Sequence, residues 1–174
     1  GQYDKAIEYL LKSVELAPED DKYWGWLGQS YYSSGQYDKA IEPFSKATEL
    51  DPENDIYWYF LGHSYYRNEQ YSEAIDSLSK AVELNPDDDY CWYWLGSSYL
   101  NLEDYNNAVY SFERSIEINP NDSDTWNDYG VALANLGRTE EARNAYANAV
   151  RIDPDSEIAR DNLNNIGYSR RGSN

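Results

Sequence analysis

Proline stands at 18, 52, 86, 120 and 154 of this 174-residue chain, one every 34 residues. A fixed period of this length means stacked copies of one supersecondary unit, each burying its apolar face against its neighbours. Three other columns keep the same phase. They are Trp24, Trp58, Trp92 and Trp126; Gly28, Gly62, Gly96 and Gly130; and Ala40, Ala74, Ala108 and Ala142.

Within one unit the apolar spacing is helical. Trp24, Leu27, Gly28 and Tyr31 stand at i, i+3, i+4 and i+7, one stripe of an α-helix. Ala40, Ile41, Phe44, Ala47 and Leu50 make a second stripe. Ser33-Ser34-Gly35 breaks the chain between them, and Asp51-Pro52-Glu53-Asn54 is turn chemistry that ends the unit. Each unit is thus a helix–turn–helix. Small residues, Gly28 on the first helix and Ala40 on the second, are expected to let the two backbones approach closely, and each Trp to fill the space between helices. Pro43 breaks the local rule, because inside a helix it removes a backbone hydrogen bond. A kink or a loosened first turn is expected there.

Written out, the units read Trp24-x2-Leu27-Gly28-x2-Tyr31 with Ala40, Phe44, Ala47 and Pro52; then Trp58, Leu61, Gly62, Tyr65, Ala74, Leu78, Ala81 and Pro86. They continue with Trp92, Leu95, Gly96, Tyr99, Ala108, Phe112, Ser115 and Pro120, then Trp126, Tyr129, Gly130, Leu133, Ala142, Tyr146, Ala149 and Pro154. This pattern resembles the tetratricopeptide repeat family at nearly every signature position. The resemblance implies an all-α fold: a right-handed α-solenoid, or superhelix, of antiparallel helix pairs. Its expected divisions are 1–20, the second helix of a truncated repeat; whole repeats at 21–54, 55–88, 89–122 and 123–156; a capping helix at 157–168; and a disordered tail at 169–174, all one solenoid domain.

The two ends differ. Residues 1–8 are identical to residues 35–42, so the chain opens at the turn of a repeat. The stripe of Ala6, Ile7, Leu10 and Val14 is left without a first helix, and either upstream repeats or a neighbouring chain are expected to cover it. Some self-association through that end is therefore expected. At the other end, Ile158, Leu163 and Ile166 are expected to pack while Arg160, Asp161, Asn162, Asn164 and Asn165 face water, as a cap requires. Gly167 can end that helix.

Charge narrows the function classes. Asp and Glu outnumber Lys and Arg by 32 to 14, for a net charge of −18. Phosphate recognition needs a positive footprint, so nucleic acid is excluded as a partner, and an anionic membrane surface equally. Solvation of loops, salt adaptation and attraction to basic partners all remain readings of this acidity. No apolar run is long enough to span a bilayer, and one cysteine cannot form an internal disulfide. A cytoplasmic location is the expectation.

Catalytic chemistry finds little to build on. His63 is the only histidine, and Cys91 precedes the Trp column where packing is the simpler role. One His and one Cys make no zinc set. Asp87-Asp88-Asp89 and the Asp122-x-Asp124 pair lack the EF-hand pattern and read as turn residues and helix caps. No enzyme activity, metal or cofactor is expected.

By the family resemblance, the first helices line the concave face where partners bind. The inward positions are Lys22, Gly25, Gln29, Tyr32 and Ser33; Ile56, Tyr59, His63, Tyr66 and Arg67; Tyr90, Tyr93, Ser97, Leu100 and Asn101; and Asp124, Asn127, Val131, Ala134 and Asn135. The best candidates for partner contact are Gln29, Tyr32, Ile56, Tyr59, His63, Tyr66, Arg67, Tyr90, Tyr93, Ser97, Asn101 and Asn127. Residues 23–37, 56–66 and 90–102 contain no charged side chain, so the acids must lie mostly on second helices and loops. The 19 Tyr and 6 Trp supply contact area with a hydrogen-bonding tip. Packing between repeats is the competing role for Tyr59, Tyr66, Tyr90 and Tyr93.

The chaperone-binding subfamily grips a carboxylate with Lys, Asn and Arg. The corresponding residues here are Gly25, Gln29, Phe60, Tyr90 and Trp94, none of which matches. The expected function is a scaffold that holds a protein or peptide segment, neutral to basic with apolar anchors. The alternatives are a homotypic oligomerisation module and the recognition arm of a larger enzyme.

Overall fold

The computed structural model describes residues 2–166, which form ten α-helices and no strand among them. Gly1 and 167–174, where the helix stop at Gly167 and the tail were expected, lie outside the described residues. The chain divides after Asp87 into two compact units. The first holds α1 (Gln2–Leu16), α2 (Asp21–Ser33), α3 (Tyr37–Leu50), α4 (Asp55–Arg67) and α5 (Tyr71–Leu84). The second holds α6 (Asp89–Asn101), α7 (Tyr105–Ile118), α8 (Ser123–Asn135), α9 (Thr139–Ile152) and α10 (Glu157–Asn165).

Helix starts follow the acids. The side chains of Asp20, Asp88 and Asp122 cap α2, α6 and α8 by accepting from the N–H groups of Lys22, Cys91 and Thr125. Between first and second helices the chain turns through a left-handed residue at each period: Gly35 and Gly137 at φ 76°, Glu69 and Glu103 at φ 60°. Glycine adopts that conformation freely; glutamate does so at a cost.

The signature columns prove to be coupled. The indole N–H of Trp24 donates to the Pro18 carbonyl at 2.8 Å, and Trp58 and Trp126 donate to Pro52 and Pro120 at 2.9 Å. Each of these three Trp side chains thus ties down the turn that precedes its own helix. The glycine column leaves room for the ring or branched chain of the second helix. A Cβ on Gly28 would stand 2.9 Å from Phe44, and one on Gly62 only 2.6 Å from Leu78. The closest approach at Gly28 is to the Phe44 ring, and Ala40 is fully buried.

In the first unit Ala40, Phe44 and Leu61 form one core with Tyr31, Trp58 and Tyr65 packed against it, and Ile7, Val14 and Leu27 form another. The α1 stripe is thus partly covered by α2, while Tyr9, Leu11 and Leu16 stay exposed. In the second unit Phe112, Leu133 and Tyr146 sit among buried alanines, with Leu163 and Ile166 against them.

Two expectations need correction. Pro43 does not loosen its helix start: α3 runs unbroken from Tyr37, and the N–H groups of Lys39 and Ala40 both donate to the Gln36 carbonyl. Pro43 itself is buried. The proline ring falls in the second turn, past the N–H groups that form the first. Ile158 does not pack; it is 69% exposed and Ala159 takes the buried place. Ala159, Leu163 and Ile166 stand at i, i+4 and i+7 and form the inward stripe of α10, which leaves Ile158 one position outside it.

Candidate peptide-binding faces

On α4, Tyr59, His63 and Tyr66 stand at i, i+4 and i+7, so the helix period places them on one face. Tyr32 of α2 meets that row: its hydroxyl and His63 Nδ1 share a hydrogen bond of 2.5 Å. Ring centroids lie 5.5 Å apart for Tyr32 and His63, 5.9 Å for Tyr59 and His63, and 6.3 Å for His63 and Tyr66. His63 is the floor of this row at 5% exposure, and the half-buried tyrosines are its walls.

Electrostatics here follow from burial. Loss of water, and secondarily the charge of Arg67, pushes the His63 imidazole down to about 4, so it is uncharged at neutral pH. Arg67 carries the cation, its guanidinium 4.4 Å above the Tyr37 ring. Ile56 is exposed on the first turn of α4, and Gln29 donates to the Ser33 hydroxyl on α2. Ion pairs lie along second helices, as Lys46–Glu49, Lys80–Glu83, Arg114–Glu117 and Arg143–Glu140 do, or at the start of one, as Arg138–Glu141 does. Among the inward positions of α2 and α4 the charged side chains are Lys22 and Arg67, both cations.

The second unit differs. Tyr90 is exposed, but Tyr93 is half-buried and donates to the Asp128 carboxylate at 3.1 Å. Asn127 donates to the same carboxylate and accepts from Asn162 of α10, so its amide is engaged inside the unit. Ser97 is 2% exposed, and its carbonyl accepts from Asn101. Here Tyr90 and Asn101 offer surface, whereas Tyr93 ties α6 to α8, Asn127 ties α8 to α10, and Ser97 is buried.

The solved structures that resemble this chain are tetratricopeptide proteins. One described as YrrB, "a TPR protein with an unusual peptide-binding site", is 27% identical, with a TM-score of 0.85 over 92% of this chain and 82% of that one. A MamA structure is 26% identical, with a TM-score of 0.83 over 87% of this chain and 89% of that one. MamA from Desulfovibrio magneticus RS-1 shares the fold at 19% identity and a TM-score of 0.82, over 90% of this chain and 89% of that one. No curated protein sequence matches. Family models described as tetratricopeptide or TPR repeat match 62–103, 90–122 and 111–144, and one described as anaphase-promoting complex, cyclosome, subunit 3 matches 1–81. The chain is a tetratricopeptide repeat protein. Its fold class is the all-α solenoid of that family.

As a tetratricopeptide protein it departs from the sequence reading at two kinds of position. Gly25, placed on the open face by the repeat numbering, is buried beneath Tyr57, whose hydroxyl donates to Asp21 at 2.9 Å. Tyr57 and Asp128 escaped notice as contacts between successive first helices. The signal for Asp128 was present: its column holds Trp26, Phe60 and Trp94, and only the fourth repeat breaks to an acid. Cys91 is fully buried, and among the described residues no group of three His, Cys, Asp or Glu could hold a metal ion. No described helix is long and apolar enough to cross a membrane.

Proposed function

We propose that this protein is an interaction scaffold whose α2–α4 face holds a peptide or protein segment. The observation that carries the reading is the cluster of Tyr32, Tyr59 and Tyr66 around an uncharged His63, on a face without acids. Tyrosines of this kind give large contact area for little lost side-chain entropy, and their hydroxyls can bond a peptide backbone. Apolar anchors suit the rings, and a neutral to basic segment suits the acidic surroundings of the face. The peptide-binding site named for YrrB agrees with this class of partner.

Selection of binders from a random peptide library on the intact chain tests it. Selected peptides are expected to perturb the backbone amides of α2 and α4 in a nuclear magnetic resonance titration. Perturbations confined to second helices would sink the reading. The exposed Tyr9, Leu11 and Leu16 of α1 favour a second reading, contact between copies of the chain through that helix. Sedimentation over a dilution series decides it, since a monomer at every concentration would remove it.

A further inference from the structure

The aromatic face of α6 faces acids rather than neutral groups. Tyr90, Tyr93 and Trp94 join Asp89, Asp122 and Asp124 around a cavity of about 280 Å³. That is below the roughly 300–1,000 Å³ of small-molecule sites, and closer to the room one long side chain needs. Its rings are in place: Tyr93 and Trp94 pack edge to face with centroids 4.8 Å apart, and Tyr90 is 63% exposed at the mouth.

We propose that this pocket takes up a single arginine side chain from the segment the scaffold holds. The proposal rests on the scaffold reading and adds the chemistry of one anchor. Three carboxylates line the pocket and a fourth, Asp128, lies behind Tyr93. Asp89 accepts from Asn119, and Asp122 accepts from the Thr125 N–H, which are neutral donors that leave the negative charge in place. The arginines of this unit that form ion pairs, Arg114, Arg138 and Arg143, are matched with glutamates within three residues. Partial desolvation first, then the charges of Asp122 and Asp153, lifts the Asp124 carboxyl above its ordinary value.

Two observations select the cation. The carboxylates do not converge into a set that could hold a metal ion among the described residues. A guanidinium is planar and weakly hydrated, stacks on aromatic rings and bonds carboxylates in pairs, whereas an ammonium does only part of this. Arginine therefore fits better than lysine.

The test uses the intact chain and N-acetyl-arginine amide as probe, with the uncharged isostere N-acetyl-citrulline amide as control. Arginine amide is expected to shift the Trp94 indole and the Tyr90 and Asp124 amide resonances saturably, in the millimolar range, at least tenfold more tightly than citrulline amide. Asp124→Asn, an exposed isosteric change, is expected to weaken it at least threefold. Equal binding of citrulline amide, or shifts spread evenly over all tryptophans, would overturn the proposal. So would calcium chloride producing the same saturable shifts at micromolar concentration. A library peptide that holds to α2 and α4 with or without arginine, and ignores Asp124→Asn, removes the pocket and leaves the scaffold. Saturable arginine entry with no peptide captured on α2 and α4 removes that scaffold face and leaves the pocket.

Discussion

The Tyr32 hydroxyl and His63 Nδ1 lie 2.5 Å apart and join α2 to α4 across 31 residues of sequence. This bond places a titratable ring at the floor of the proposed binding face. Folding holds His63 at about 4, below its ordinary 6.5. The unfolded chain therefore takes up the proton first, and stability falls as pH drops. The contribution is complete above pH 6.5, is lost progressively as pH falls through 4, and is on the order of 3 kcal/mol at its limit. Urea unfolding at pH 7.5 and pH 4.5 should show it as the difference between wild type and His63→Gln. Equal pH slopes for the two would contradict it.

Asp128 has the opposite sign. Burial raises its carboxyl above the ordinary value despite the bonds it accepts from Tyr93 and Asn127. The folded state then binds the proton more readily, so stability is fully present below the unfolded value and is lost as pH rises through the folded one. Asp128→Asn keeps an acceptor for Tyr93 without the charge. It should unfold at higher urea than wild type at pH 7, with the gain shrinking toward pH 3.5. A loss at pH 7 would mean that the carboxylate charge itself holds Tyr93.

How much of this was legible beforehand follows from what a period can encode. The 34-residue columns located Trp58, Gly62 and Pro52 because every repeat needs them, and the helices fall where the stripes stood. The Trp58 to Pro52 bond links two such columns, yet spacing alone cannot show which atoms meet. Features peculiar to one repeat were hidden. Tyr57 over Gly25, and Tyr93 on Asp128, depend on how one repeat leans on the next, and no neighbour repeats the pair. The sequence numbering could say which face a residue shares, but not that Tyr93 would be engaged there while Tyr90 stays open.

Trp58→Phe tests the column coupling. The aromatic packing is kept and the 2.9 Å bond to the Pro52 carbonyl is lost. A net hydrogen bond of this kind is worth about 1 kcal/mol. Chemical denaturation should show that loss, with unchanged helicity by circular dichroism. No change in midpoint would mean the indole N–H satisfies itself with water.

Glu69→Gly and Glu103→Gly should each stabilise the fold. Both residues sit at φ 60° where the equivalent Gly35 and Gly137 sit at 76°. Relief of left-handed strain, about 1–2 kcal/mol, outweighs the extra chain entropy that glycine loses, about 0.5–1 kcal/mol. Thermal melts of the two single variants and the pair should rise in additive steps. Gly35→Ala, the reverse change, should lower the melt.

The binding face is judged most directly by Tyr59→Ala combined with Tyr66→Ala, both half-buried on α4 and neither a partner in the Trp58–Pro52 bond. Affinity of a library-selected peptide for wild type and for this variant would be measured by calorimetry, with circular dichroism confirming that the helices persist. A loss of tenfold or more with intact helicity is the predicted result. Unchanged affinity in a folded variant would contradict the assignment of the α2–α4 face as the holding surface.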